Sequence, residues 1–183
     1  AAGADLVTAS GDKLIGGPQM GLILGRADAV ARVRAHPLYR AVRCDKLKLI
    51  AMEATLRLFL HPERLRETHP TFSALTATPE ALRARAEALL PKARAAAPGL
   101  SIEIAAASDA VGAGSLPTVE LPGVALRVTS RTIEAGLLAK RLRAGRTPVF
   151  STVKDGAVLL HVRTLLPDED ATLCAALGEA AGG

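Results

Sequence analysis

Hydrophobic residues at the start of the chain occur in two short runs, which predict two strands. Residues 5–9 (DLVTA) form the first run and residues 20–24 (MGLIL) the second. Both have the length and composition of short buried strands. A helix is predicted over 26–35, ending at His36-Pro37, because the residue before a proline disfavours helical geometry.

A longer helix is predicted over 46–60, with Asp45 as its N-cap. Many of its apolar residues recur at helical spacing. They are Leu47, Leu49, Ile50, Ala51, Met52, Ala54, Leu56, Leu58 and Phe59. A helix that is apolar over so much of its circumference is usually buried on more than one side. We therefore expect it to pack against another subunit.

The second half of the pattern predicts an α+β unit. Residues 61–77 contain Pro62 and Pro70 and are interpreted as an irregular connection. The next helix begins at Thr78-Pro79-Glu80 and ends before Pro98-Gly99. Its predicted buried stripe is Leu82, Ala86, Leu89 and Ala93.

The remaining residues predict a largely antiparallel sheet with helices on one face. Strands are expected over 101–105, 124–128, 149–153 and 157–162, and helices over 131–144 and 168–177. Asp155-Gly156 is a strong signal for a tight hairpin between the last two strands. The predicted fold class is therefore α/β and α+β. The predicted domains are residues 1–61, a connection over 62–77, a small domain over 78–177 and a frayed tail over 178–183.

Composition narrows the possible functions. Of the 183 residues, 49% are hydrophobic, so a folded core is expected. Only 2% are aromatic, which disfavours a module that stacks many nucleic-acid bases. The net charge of +5 favours anionic or phosphorylated partners. Cys44 and Cys174 are isolated and indicate reduced thiols in a cytoplasmic protein rather than a metal site.

No apolar run is long enough for a transmembrane span, so no membrane partner is expected. The first residues, Ala1-Ala2-Gly3-Ala4, contain no methionine and lead directly into the first predicted strand. We therefore expect the chain to be a fragment of a longer protein.

The candidate chemistry is concentrated in SGDKLIGGPQMG, residues 10–21, which places Lys13 in a turn between the two predicted strands. One interpretation is a polar hairpin with a solvated Lys13 and with Asp12 as a turn former. The other is that Lys13 points inward and holds a ligand covalently, with the glycines leaving room for it. Burial or a nearby cation lowers a lysine pKa and makes its amine nucleophilic. The residues alone leave both interpretations open and favour the solvated turn, because most lysines are exposed.

The segment SGDKLIGGPQMGLILG resembles the lysine segment of fold-type-I pyridoxal-phosphate enzymes. In particular, it is similar to the bacterial L-seryl-tRNA(Sec) selenium transferase family. The resemblance continues through HPLYRAVRCDKLKLIAMEATLRLFLHPE, VGAGSLPTVELPGVAL and TPVFSTVKDGAVLLHVRTLLPDED, so it covers nearly the whole chain in order. It implies the end of a fold-type-I large domain followed by a small C-terminal domain.

The resemblance assigns roles to five residues. Lys13 would carry pyridoxal 5′-phosphate as an imine, Asp12 would support it, and Ser10 would help to bind the cofactor. Arg40 and Arg43 would bind the phosphate of the selenium donor. Taken alone, these arginines belong to a basic loop before a helix, but two guanidiniums three residues apart can clamp one tetrahedral anion.

The implied reaction converts seryl-tRNA(Sec) to selenocysteinyl-tRNA(Sec) with selenophosphate, through an aminoacrylyl intermediate. The implied assembly is a cytoplasmic homo-oligomer built of dimers. In this family, the groups that bind the cofactor phosphate, ring and pyridine nitrogen precede the lysine, and so does the tRNA-binding region. An isolated fragment that begins close to the lysine is therefore expected to be inactive.

Two alternatives stay open. Within the same fold, the chain could belong to a pyridoxal-phosphate lyase or desulfurase acting on a small amino acid or amino sugar. From a different class, it could be a non-catalytic basic module that binds RNA or another subunit. Modification of Lys13 would distinguish this module from both enzymes.

Overall fold

The computed structural model describes residues 3–112, 115 and 118–182. The chain divides into two compact units, Ala1–Thr76 and Ala77–Gly183. The assignment of these units to a cofactor domain and a small C-terminal domain stays a prediction. Mixed α/β structure with antiparallel sheets confirms the expected fold class.

The first unit consists of one hairpin followed by helices. Strands β1 (Leu6–Ser10) and β2 (Gly21–Gly25) are antiparallel, with Ser10 opposite Gly21. The helices are α1 (Ala27–Ala35), α2 (Pro37–Val42), α3 (Lys46–Leu58), α4 (Leu65–Thr68) and α5 (Pro70–Thr76), with a 3₁₀ turn at Pro62–Arg64.

The two strands occur where the sequence predicts them, but they are not buried as expected. Val7 is 51% exposed and Leu24 is 58% exposed. A two-stranded sheet has two faces and two edges, and the described part of this unit covers too little of them to bury the apolar runs.

Three prolines begin helical segments where irregular structure was expected. Pro37 is the first residue of α2, and His36 Nδ1 accepts a hydrogen bond from the Leu38 N–H at 3.2 Å. The predicted basic loop is therefore partly helical. Pro62 and Pro70 likewise open the 3₁₀ turn and α5. Proline ends one helix but suits the first position of the next, because that position needs no N–H donor.

Helix α3 begins as predicted, since Asp45 Oδ1 accepts a hydrogen bond from the Lys48 N–H at 2.9 Å. The hydrogen bonds from Lys48 lower the pKa of Asp45 to about 2. Of the α3 residues, only Met52 is buried by the rest of the unit. Leu47 and Ile50 on the same helix are 78% and 63% exposed. Burial on several sides of α3 is therefore not achieved inside the unit.

The described residues of the second unit form a four-stranded antiparallel sheet, three α-helices and a 3₁₀ turn at Val162–Thr164. In space the strand order is β3 (Ser101–Ala110), β4 (Glu120–Thr129), β6 (Ala157–His161) and β5 (Thr152–Lys154). The helices are α6 (Pro79–Ala96), α7 (Ala135–Ala144) and α8 (Asp170–Gly182).

One face of this sheet carries the hydrophobic core. Ile102 lies opposite Val128, and Val128 in turn lies opposite Val158 on the next strand. Because cross-strand partners share a face, these residues form a continuous row that packs with α6, α7 and α8 in one cluster. The predicted stripe of α6 is confirmed: Leu82, Ala86, Leu89 and Ala93 are all buried.

The predicted hairpin is confirmed, with Asp155 and Gly156 at φ values of 49° and 68° between β5 and β6. Two positive φ angles are typical of the tight turn that matches strand twist.

The expected frayed tail is wrong, because α8 continues to Gly182. Ala180 is buried there, and its carbonyl accepts a hydrogen bond from Arg141.

A buried polar cluster connects the C-terminal end of β3, the C-terminal end of β6 and the first residue of β5. Asp109 accepts from Arg163 Nε at 2.6 Å and lies 2.5 Å from His161 Nδ1, while His161 Nε2 lies 2.9 Å from Thr152 Oγ1. Arg163 also donates to the carbonyls of Ala77 and Pro122.

In the described part of the chain, no helix combines the length and hydrophobicity required to cross a membrane. Nor do those residues contain a group of three or more His, Cys, Asp or Glu side chains placed to hold a metal ion.

Replacing Asp109 by alanine should lower the free energy of unfolding by about 3–5 kcal/mol, because it removes the carboxylate that faces a buried guanidinium. Glu103→Ala, on the same strand, is the matched control. It breaks an exposed pair with Arg127 and should cost about 1 kcal/mol or less. Urea unfolding followed by circular dichroism measures both. Equal losses would contradict a special role for the buried pair.

Candidate active site

Lys13 lies in the loop that joins β1 to β2. Three backbone hydrogen bonds close this loop: Gly11 N to Met20 O at 2.8 Å, Gly16 N to Lys13 O at 2.9 Å, and Gly17 N to Gly11 O at 2.8 Å. The lysine therefore projects from a compact turn whose backbone is held at both ends.

Ser10, Asp12 and Lys13 form one hydrogen-bonded group. Lys13 Nζ lies 2.6 Å from Asp12 Oδ2, and Ser10 Oγ donates to Asp12 Oδ1 at 2.5 Å. The bond from Lys13, followed by that from Ser10, holds the pKa of Asp12 below its ordinary value. Lys13 is only 35% exposed. The amine is thus half-buried and held by an ionised carboxylate, which differs from a freely solvated turn lysine.

An open cleft of about 470 Å³ lies beside this group. Its lining residues come from the ends of both strands and from the loop. They are Thr8, Ala9, Ser10, Asp12, Lys13, Gln19, Met20 and Gly21. Small-molecule sites in proteins span about 300–1,000 Å³, so the cleft can admit a cofactor-sized ligand next to the amine.

The loop glycines were expected to leave room for a ligand, but protein side chains occupy the space beside three of them. A Cβ on Gly11 would lie 2.2 Å from the Met52 methyl group, and one on Gly17 would lie 3.0 Å from it. Gly16, at φ 70°, is packed against His69 in the same way. These glycines therefore let protein side chains approach the turn and do not leave space for a ligand. Gly21, which lines the cleft, does have open space at its Cβ position.

His69 is a positioning residue that the sequence pattern does not reveal. Its Nδ1 accepts from the Phe72 N–H at 3.1 Å, so Nε2 carries the proton and donates to the Ile15 carbonyl at 2.8 Å. Its ring is buried and meets Phe59 edge-on, with ring centroids 5.2 Å apart. The contact spans 54 residues of sequence, and no local motif marks it.

Arg40 and Arg43 do not line the Lys13 cleft of the same chain. Arg40 lies in the last turn of α2, and Arg43 is the residue that ends that helix. Both side chains are exposed. Among the described residues neither forms an ion pair with an acid. Their guanidinium groups are therefore available to an external anion.

Comparison with solved structures identifies the class of fold. The chain is similar to a structure titled D-glucosaminate-6-phosphate ammonia-lyase, with a TM-score of 0.60 and 22% identity. The match covers 98% of this chain and 44% of the other. At this identity the similarity concerns the fold alone, and it supports the expected fold class.

Sequence comparison then defines the family. The family model described as L-seryl-tRNA selenium transferase matches residues 1–166, and the chain belongs to that family. It is 44% identical to L-seryl-tRNA(Sec) selenium transferase of Moorella thermoacetica over 182 residues, which is 99% of this chain and 39% of the relative. The protein of the same name from Klebsiella pneumoniae strain 342 is 46% identical over 168 residues, covering 90% of this chain and 36% of the relative. The chain thus spans less than half the length of these relatives.

The geometry predicts an order of effects on the pKa of Asp12. Lys13→Met should raise this pKa more than Ser10→Ala does, because Lys13 donates its hydrogen bond from a cation and Ser10 donates from a neutral hydroxyl. The interaction stabilises the fold above the ordinary carboxyl pKa and is lost as pH falls through the lowered value. Carbon-13 NMR titration of the Asp12 carboxyl group measures the effect. A larger shift in Ser10→Ala would contradict this order.

Proposed function

We propose that this chain is the lysine-bearing part of a pyridoxal-phosphate-dependent enzyme that converts seryl-tRNA(Sec) to selenocysteinyl-tRNA(Sec), with selenophosphate as selenium donor. The observation that carries the proposal is the half-buried Lys13 amine, held by Asp12 beside an open cleft, in a chain of this family. The comparisons favour this function over a lyase, a desulfurase or a non-catalytic RNA module.

The residues of the cleft fit pyridoxal 5′-phosphate, since Lys13 Nζ supplies the amine for covalent attachment and the cleft volume suits a cofactor of that size. When bound, the cofactor withdraws electrons from the substrate amino acid and so acidifies its Cα proton. Asp12 orients Nζ, and Ser10 fixes the other oxygen of that carboxylate. Lys13 Nζ would hold the cofactor and, as a neutral amine, would be the group that accepts a proton from the Cα of the serine.

Arg40 and Arg43 are proposed to bind the phosphate group of selenophosphate. Both guanidiniums are exposed and without acidic partners among the described residues, so each can pair with phosphate oxygens. Because they do not line the cleft of their own chain, we propose that a second copy supplies them to the Lys13 cleft. The required assembly is a homo-oligomer, and the exposed apolar residues of α3 support it.

A cytoplasmic location is part of the same proposal. Cys44 and Cys174 are both free thiols, and unpaired cysteines are typical of proteins kept in a reducing compartment.

Borohydride reduction followed by peptide mapping tests the central assignment. In a full-length transferase that carries this sequence, the phosphopyridoxyl label should be found on Lys13, and Lys13→Ala should abolish both label and activity. Lys13→Ala should remain folded, because the side chain is partly exposed. The isolated 183-residue chain should label weakly, since it spans only 39% of its relatives' length. A label on Lys46 or Lys48 would refute the assignment.

Arg43→Ala should raise the KM for selenophosphate by about 10- to 100-fold, because hydrogen bonds to a charged group contribute about 1.5–3 kcal/mol each. Cofactor labelling of Lys13 should be unchanged. The matched control is Arg57→Ala, which removes an exposed arginine of the same unit that is paired with Glu53. Equal damage by Arg43→Ala to donor use and cofactor labelling would indicate a structural arginine instead.

A further inference from the structure

We propose that His69 holds the peptide group between Ile15 and Gly16, and through it fixes the turn that presents the Lys13 amine to the cofactor. His69 does not line the Lys13 cleft, so it would act as a positioning residue that sets how tightly Lys13 holds pyridoxal 5′-phosphate. The inference rests on the proposed function, which makes Lys13 the attachment point. It separates this role of His69 from a structural role in α5.

One peptide group connects His69 to the Lys13 turn. Its carbonyl, that of Ile15, accepts the hydrogen bond from His69 Nε2 at 2.8 Å. Its N–H, that of Gly16, donates to the Lys13 carbonyl at 2.9 Å and closes the turn. Because a peptide group is planar and rigid, a rotation that breaks one of these hydrogen bonds also disturbs the other. His69 therefore acts on the backbone of Lys13 through a single rigid unit.

Gly16 gives the turn a freedom that a contact from outside has to limit. Its φ angle is 70°, in the left-handed region that glycine enters without steric cost. Glycine also has more backbone freedom to lose on folding than any other residue, so this peptide group reorients easily unless something holds it. The His69 ring supplies the contact, since a Cβ on Gly16 would lie 2.5 Å from its Cε1.

The donor nitrogen of His69 has a fixed position. The residue is 3% exposed, and Phe59 meets its ring edge-on. Its Nδ1 accepts from the Phe72 N–H, which leaves the proton on Nε2 and directs it at the Ile15 carbonyl. A ring that is already held on two sides loses little further conformational entropy when it donates this hydrogen bond.

Capping of α5 alone does not need a histidine. His69 has an extended backbone, with φ −124° and ψ 100°, and its carbonyl accepts from the Ser73 N–H at 2.9 Å, as expected of an N-cap residue. Asparagine, aspartate, serine and threonine are the preferred N-caps, because each offers an acceptor close to the backbone. The imidazole adds a second nitrogen, and that nitrogen is the one that reaches the Lys13 turn.

Two substitutions in the full-length transferase separate these roles. His69→Asn places a side-chain oxygen near the position of Nδ1, so it keeps the cap of α5, but its side chain is too short to reach Ile15. His69→Gln places an amide nitrogen near the position of Nε2, so it can donate to the Ile15 carbonyl but gives up the cap. We expect His69→Asn to lose the positioning role and His69→Gln to retain it.

Hydrogen exchange followed by mass spectrometry measures the turn directly, in enzyme without cofactor. The loop between β1 and β2, in which the amides of Gly11, Gly16 and Gly17 are hydrogen-bonded, should exchange about 2- to 12-fold faster in His69→Asn, as expected for one neutral hydrogen bond. Borohydride labelling of Lys13 over a series of pyridoxal 5′-phosphate concentrations should show a dissociation constant raised by a similar factor. In His69→Gln both values should return close to those of the native enzyme.

His36→Asn is the matched control. His36 Nδ1 caps α2 by accepting from the Leu38 N–H, and within the residues that the structure describes its Nε2 has no hydrogen-bond partner. This variant changes the same atoms at a helix cap of the same kind, and it should leave loop exchange and cofactor affinity unchanged. Thermal unfolding is measured for every variant.

Native loop exchange and cofactor affinity in a folded His69→Asn enzyme would overturn the proposal and leave the proposed function intact. Equal effects of His36→Asn, or a folded His69→Gln enzyme that behaves like His69→Asn, would also overturn it. So would an unfolded His69→Asn enzyme, because the two roles would then not be separable.

If His69→Gln does not fold, His69→Asn alone decides: faster exchange confined to the loop supports the proposal, and faster exchange throughout the chain overturns it. Absence of label on Lys13 in the native enzyme would instead refute the proposed function, whereas the exchange of the loop is measured without cofactor and does not depend on it.

Discussion

The position of Lys13 depends on close packing of its glycine-rich turn against two side chains from later helices. Met52 of α3 approaches Gly11 and Gly17 so closely that neither can carry a Cβ without displacing it. His69 donates to the Ile15 carbonyl and fills the space beside Gly16. The position of the amine therefore depends both on the backbone hydrogen bonds of the loop and on contacts with the helices. A larger side chain at Gly11 would move the turn and, with it, the Asp12–Lys13 pair.

The second unit depends on a different constraint, a charge cluster in its interior. Asp109 meets both Arg163 and His161, and Gly123 leaves the necessary space, since a Cβ there would lie 2.2 Å from Asp109 Oδ2. Buried ion pairs contribute little net stability, but leaving one partner alone is costly. A register shift of β3 or β6 that separated Asp109 from Arg163 would leave a buried charge without its partner, so we expect the cluster to disfavour such shifts.

Local signals in the sequence predicted much of the fold. The Asp45 cap, the Asp155-Gly156 turn and the buried stripe of α6 each depend on residues within a few positions of one another. The errors have two physical causes. Pro37, Pro62 and Pro70 can end one segment and begin another, and sequence pattern alone does not distinguish these roles. The contact of His69 with Ile15 and those of Asp109 with His161 and Arg163 each span more than 50 residues, so no local pattern indicates them.

In the candidate site, too, the residues that are adjacent in sequence lie together, whereas the two predicted arginines farther along the chain do not line the same cleft. Ser10, Asp12 and Lys13 are adjacent in sequence, and the structure brings them together within hydrogen-bonding distance. Arg40 and Arg43 share no contact with that group in the chain, and their proposed role needs a second copy. The first unit leaves many large apolar side chains exposed, whereas the second encloses a continuous core. Under the proposed function, packing of these exposed apolar side chains against other protein surfaces would stabilise the unit that carries Lys13. Assembly and formation of the active site would therefore depend on the same contacts.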